Sequence, residues 1–215
     1  MKNVITNTFL ILVLTCSYMI RAQIPTSEKQ YLLEFNKSTV GDQWQNKWDV
    51  KADPSTWYGV EIEDGHVTAL KLYRNNLTGA IPEGISVLSH LQTLNLAFNV
   101  IEGNLPEDMF QLEKLTTMRL EMNKLKGNLP QDCSKMTQLE ELSMFNNLLQ
   151  GTIPSGIGEL SNLKTLNLSS NYLEGSLPKS IEKLGKLERL ELFGNKLAGT
   201  IEVDLGRLVN LKELI

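Results

Sequence analysis

An α/β repeat solenoid, a stack of coils with a parallel sheet along one side, is the fold class predicted for this 215-residue chain. Three observations carry that prediction. The glycines Gly79, Gly103, Gly127, Gly151, Gly175 and Gly199 recur every 24 residues. The asparagines Asn75, Asn99, Asn123, Asn147, Asn171 and Asn195 recur at the same spacing. Ahead of each asparagine, apolar residues alternate with polar ones, Leu94 and Leu96 being one such pair, as a short half-buried strand requires. A fixed period in the twenties means that each unit hides its apolar face only against its neighbours.

Each part of the coil has its own reason. The strand pairs Leu70/Leu72, Leu94/Leu96, Met118/Leu120, Leu142/Met144, Leu166/Leu168 and Leu190/Leu192 point inward. Stacking lays these strands side by side, about 4.8 Å apart. The asparagine amide that follows both donates to and accepts from backbone groups of adjoining coils, which makes it a structural ladder and not a catalytic feature. The glycine permits a turn or close approach, and the proline three residues later holds the residue before it extended. Apolar anchors such as Ile157 and Leu160 then mark a short helical turn on the convex side. In the sixth copy Glu202 stands where proline belongs, which predicts a looser return segment.

The chain divides into a signal peptide (1–22), an N-terminal cap (23–65), six repeats (66–209) and the start of a seventh (210–215). Lys2, the apolar run Phe9–Leu14 and Arg21-Ala22 make the export signal. That run is too short to span a bilayer, which needs about 20 residues, and no later stretch qualifies. Removing Lys2 and Arg21 takes the net charge from −4 to −6. This balance, with no Lys/Arg cluster, excludes nucleic-acid binding. Cys16 lies in the signal. Cys133 shares its coil position with Ile85, Met109, Ile157, Ile181 and Leu205 and reads as a buried apolar filler.

In the cap, Ser27 followed by Gln30 reads as a capping box for a helix. Tyr31, Leu32, Phe35, Trp44, Trp48 and Trp57 supply apolar bulk, a ligand platform on Trp44 and Trp48 being the lesser reading. Tyr58–Ile62 reads as a strand that Glu63-Asp64-Gly65 turns back onto Val67–Leu72 as a hairpin. At the other end Asn210–Ile215 stops within its strand. The expectation is a bare apolar edge, belonging to a fragment or covered by something else.

The coil Leu-x-x-Leu-x-Leu-x-x-Asn-x-Leu-x-Gly-x-Ile-Pro resembles the leucine-rich repeat, in its 24-residue plant-type subclass. The resemblance implies a curved solenoid with an extra strand near the Gly-x-Ile-Pro segment that twists the stack. The cysteine pair of plant members would fall near Ser55 and Ile62 and is missing. Residues 27–60, with Gly41-Asp42-Gln43-Trp44 and Trp57-Tyr58-Gly59-Val60, are similar to the cap of exported bacterial members. Family members commonly serve as receptor ectodomains, adhesins and inhibitors. The implied function is therefore an exported, secreted or cell-surface recognition module that binds a protein or peptide.

Outward positions beside the inward pairs carry Tyr73, Arg74, Phe98, Arg119, Glu121, Met122, Phe145, Arg189, Glu191 and Phe193. Aromatics, methionine and arginine are the residues enriched in interface cores, so these ten form the candidate partner-binding strip of the concave face. The alternatives are a structural surface or matrix spacer, a glycan-binding module, and the sensor fragment of a longer receptor. An enzyme is not expected. His66 and His90 share a coil position in adjacent coils, roughly 5 Å apart, but no cysteine or carboxylate joins them in a matching column. No nucleophile constellation or phosphate loop is present, so no catalytic, metal-binding or cofactor-binding residue is assigned.

Overall fold

The computed structural model describes residues 23–199 and 202–215; the expected signal peptide, Cys16 included, lies outside them. The chain opens with helix α1 (Thr26–Ser38). The expected capping box does not form. Pro25 occupies the cap position without a side-chain hydrogen bond, and Ser27 lies inside the helix. The fixed φ of proline suits it to a helix start, so the helix begins two residues earlier than expected. The acidic residue used in the first turn is Glu28. It is buried, and its carboxylate accepts the Val67 N–H at 2.8 Å.

The cap core is aromatic. Phe35 of α1 meets Trp44 edge-on at 6.1 Å, Trp44 meets Trp48 at 4.9 Å, and Trp48 stacks on Trp57 at 4.7 Å. Each indole N–H finds a carbonyl: Trp44 donates to Thr39, Trp48 to Tyr58 and Trp57 to Asp49. All three rings are buried, which rules out the ligand platform on Trp44 and Trp48. Strand β1 (Val60–Glu63) then pairs antiparallel with β2 (His66–Lys71). Asp64 and Gly65 turn the hairpin at φ values of 49° and 77°, the left-handed pair that a two-residue hairpin demands. The first strand starts at Val60, two residues later than the expected Tyr58.

Twelve short strands follow: β3 (Thr78–Gly79), β4 (Thr93–Asn95), β5 (Val100–Asn104), β6 (Thr117–Arg119), β7 (Lys124–Asn128), β8 (Glu141–Ser143), β9 (Leu148–Thr152), β10 (Thr165–Asn167), β11 (Tyr172–Gly175), β12 (Arg189–Glu191), β13 (Lys196–Leu197) and β14 (Glu213–Leu214). They build two sheets. The concave sheet runs β1-β2-β4-β6-β8-β10-β12-β14, parallel beyond the hairpin, and the second runs β3-β5-β7-β9-β11-β13. In the concave sheet paired residues are 24 apart, as in Leu94↔Met118 and Leu142↔Leu166. In the second sheet they are 22 apart, as in Glu102↔Lys124 and Lys126↔Leu148. The coils therefore slip by two residues on one side and not on the other, so one edge of the stack is staggered against the other.

The inward residues form one continuous apolar core from Ile24 to Leu208. Beside it runs the asparagine ladder. Asn123 Oδ1 accepts the Ile101 N–H of the preceding coil, and its Nδ2 donates to the Leu96 and Leu120 carbonyls at 3.0 and 3.1 Å. Asn99, Asn147, Asn171 and Asn195 repeat the pattern. At the cap end, Asn75 Oδ1 accepts the Asn46 backbone N–H instead. Short helical turns line the convex side at 85–87, 107–111, 155–159, 179–183 and 205–207. The coil holding Cys133 shows none; there the Asp132 carboxylate accepts the Ser134 N–H at 2.8 Å, a local bond that competes with helix formation. Cys133 is buried, as expected of a filler, and burial pushes its thiol up to about 11. The looser return segment expected at Glu202 adjoins Thr200 and Ile201, which lie outside the described residues.

Candidate functional site

The outward side chains of the concave sheet fall into columns because every strand pair keeps the same register. Lys71, Asn95, Arg119, Ser143, Asn167 and Glu191 form one column. The strands are only three residues long in most coils, so Tyr73, Glu121, Phe145 and Phe193 lie just past them. One position further on, the backbone turns left-handed in coil after coil: φ is 50° at Arg74, 57° at Phe98 and Met122, 53° at Asn146 and Ser170, and 70° at Gly194. Bulky residues in this region carry strain. It is held by bonds between coils: the N–H of Arg74 reaches the Ala97 carbonyl, that of Phe98 reaches Glu121, and that of Met122 reaches Phe145, at 2.8–2.9 Å. Arg74, Phe98 and Met122 are thus turn residues and not strand residues, and alternation alone does not reveal this.

The ten candidate residues do not gather into one cluster. Tyr73 and Phe98 do meet, with ring centroids 5.2 Å apart and exposures of 44% and 41%. Between Tyr73 and Glu121 the same column holds Ala97, small and buried, so the pair borders a depression. Phe145 and Met122 are half-buried, and the Met122 sulfur accepts the Asn146 amide at 2.8 Å. Phe193 stands apart, 71% exposed.

Two of the charged members, Arg119 and Arg189, are paired with carboxylates of the sheet. Arg119 grips Glu141 through two bonds of 2.8 Å, and that hydrogen bonding raises the arginine pKa. Arg189 lies 3.4 Å from Glu191 and 3.1 Å from Glu213. Arg74 is exposed. One oxygen of the half-buried Glu121 carboxylate is enclosed without a hydrogen-bond partner. A strip with exposed rings and two of its arginines already paired suits contact with a partly apolar ligand. Glu140 and Glu188 are held by Lys164 at 2.8 Å and Lys212 at 2.6 Å, an arrangement of surface ion pairs and not of acid and base.

Two features escaped the sequence reading. The residue after each ladder asparagine faces outward on the second sheet, leaving Val100, Leu148 and Tyr172 exposed, with the Lys196 ammonium 5.2 Å from the Tyr172 ring centroid. The recurring large apolar residue at that coil position was the available signal. The second is a correction. A carboxylate does join the two histidines: Glu28, from the cap and not from a coil column, lies 2.6 Å from His66 Nδ1, and the His66 and His90 rings stack at 3.8 Å.

No described helix is long and apolar enough to cross a membrane. The leucine-rich repeat family model matches residues 137–197, and a second leucine-rich repeat model matches residues 90–112. A 60-residue stretch is 47% identical to the probable inactive receptor kinase RLK902 of Arabidopsis thaliana, covering 27% of this chain and 9% of that protein. Among solved structures, the fold is similar to PEPR1 in its complex with AtPEP1: TM-score 0.81, 27% identity, covering 88% of this chain and 28% of that one. It is also similar to the ectodomain of the Arabidopsis receptor kinase HAESA, solved with an extended IDA peptide hormone, with TM-score 0.74, 28% identity, and coverage of 87% and 32%. The chain spans less than a third of the length of each of these relatives. The fold is that of a curved leucine-rich-repeat solenoid, and two stretches of its coils match leucine-rich-repeat models.

Proposed function

We propose that this chain is an exported recognition module, and not an enzyme, that holds a protein or peptide against its concave face. The observation that carries the reading is the Tyr73–Phe98 pair, two rings in contact and both exposed beside the small Ala97. Rings of this kind are the anchors on which interface energy concentrates. Arg119 and Arg189 are already paired with carboxylates of the sheet, which favours a ligand recognised by apolar side chains and backbone over one recognised by net charge. The likeness to peptide-bound receptor ectodomains supports the same reading and adds a second, that the chain is the sensor part of a longer cell-surface receptor. The six copies of the coil are read as one 24-residue subclass, with the cap as the closing element at the N-terminal end.

A displayed library of extended peptides, selected on the full chain, tests the proposal. Selected peptides are expected to lose about 30-fold in affinity on a Tyr73→Ala/Phe98→Ala double variant, the equivalent of about 2 kcal/mol at an interface anchor. Peptides that bind the double variant as tightly as the parent overturn the concave-face reading. Saturable binding on a carbohydrate array with no peptide selected transfers the site to glycans, and failure of both leaves the spacer.

A further inference from the structure

The cap helix, the hairpin and the first full coil meet at Glu28, His66 and His90. One donor atom from each lies within 4.8 Å of the others. Glu28 is 2% exposed; its Oε1 faces His66 Nδ1 at 2.6 Å and its Oε2 accepts the Val67 N–H. The two imidazoles lie face to face, 3.8 Å apart and 19° from parallel, and both are partly open to solvent. The two rings present their nitrogens beside the buried Glu28 carboxylate.

We propose that Glu28, His66 and His90 bind one divalent transition-metal ion of the zinc class. Two imidazole nitrogens and one carboxylate oxygen form a donor set of borderline softness, suited to Zn²⁺ and its neighbours. Magnesium and calcium prefer oxygen alone, and copper(I) prefers sulfur. Zinc holds such donors at about 2.0–2.2 Å in a tetrahedron, which places them about 3.3 Å from one another. Side-chain rotation of the half-open imidazoles covers the difference from the present separations. The fourth position faces solvent and takes water. Lys114, the next residue in the histidine column, adds a repulsive charge at His90, so the ion sits on the Glu28 side. Because its ligands come from α1, β2 and the segment before β4, the ion clamps the cap onto the stack.

The test uses the full chain, stripped with a chelator and titrated with Zn²⁺ alone by calorimetry, then with Co²⁺ followed by its visible absorption. The expected result is one ion per chain, a rise in Tm on adding Zn²⁺, and a Co²⁺ spectrum of four-coordinate type. His90→Gln, at a coil position that carries Lys114, Gln138 and Asn162 elsewhere, is expected to keep its metal-free Tm and to weaken Zn²⁺ binding at least ~10-fold. Equal binding by parent and His90→Gln overturns the site, as does the lack of saturable Zn²⁺ binding below millimolar concentration. The Co²⁺ spectrum decides on the parent chain alone should the variant fail to fold.

Discussion

The aromatic cap and the coils behind it are held by different means. The cap rests on contacts made once: three tryptophans in a row, each indole N–H aimed at a different carbonyl, and Glu28 tied to the Val67 N–H. The coils rest on contacts made repeatedly, the buried leucine pairs and the asparagine ladder. A one-off contact has no substitute, whereas a repeated one is backed by its neighbours. Stability in such a stack is close to a sum of unit and neighbour terms, so the cap is where single changes are expected to cost most.

Removing the central cap ring gives the sharpest contrast. Trp44→Ala is expected to destabilise by about 4 kcal/mol, through the cavity it leaves and the loss of the indole bond to the Thr39 carbonyl, which keeps only the Thr78 N–H, measured by urea unfolding. A loss under about 1 kcal/mol would erase the distinction between cap and coils. Next is the ladder in mid-stack. Asn147→Ala strands the Leu125 N–H and takes one of two amide donors from each of the Leu120 and Met144 carbonyls, which keep Asn123 and Asn171, and is expected to cost about 3 kcal/mol. Asn195 is half-buried and makes fewer bonds, so Asn195→Ala is expected to cost less by about 1 kcal/mol; equal losses would show that burial does not set the ladder's worth. A smaller effect is expected at Gly151, where φ is 74° and an added Cβ would stand 2.6 Å from Asn128 Oδ1. Gly151→Ala is expected to cost about 1–2 kcal/mol. Smallest is the effect of thiol labelling: Cys133, buried with its thiol raised to about 11, is expected to stay unlabelled by maleimide at neutral pH until the coils unfold. Rapid labelling of the folded chain would mean that its coil opens locally.

Legibility follows the same divide. The period of 24 carries straight into the register of the concave sheet, because each coil meets a copy of itself and the same residue types must face each other. The hairpin was legible from Asp64-Gly65, and the burial of the tryptophans from their bulk. The site was legible only in part. Tyr73 and Phe98 could be named from their coil positions, but the left-handed turn that displays Phe98 could not, since it comes from bonds to the next coil and not from local preference. The 22-residue register of the second sheet was likewise hidden, because the stagger is a property of two coils together.

Glu28 marks the boundary most clearly. In the sequence it is one acid among many on an amphipathic helix; in the fold it is buried 38 residues away, beside His66. Repetition alone determined the stacked architecture, the inward leucines, the ladder and the outward columns, since short-range patterns copied six times leave one way to hide their apolar faces. The docking of the cap, the meeting of Glu28 with two histidines, the turn beneath Phe98 and the pairing of charges across coils were decided by tertiary structure. Those depend on contacts between segments that share no pattern, and periodicity carries no information about them.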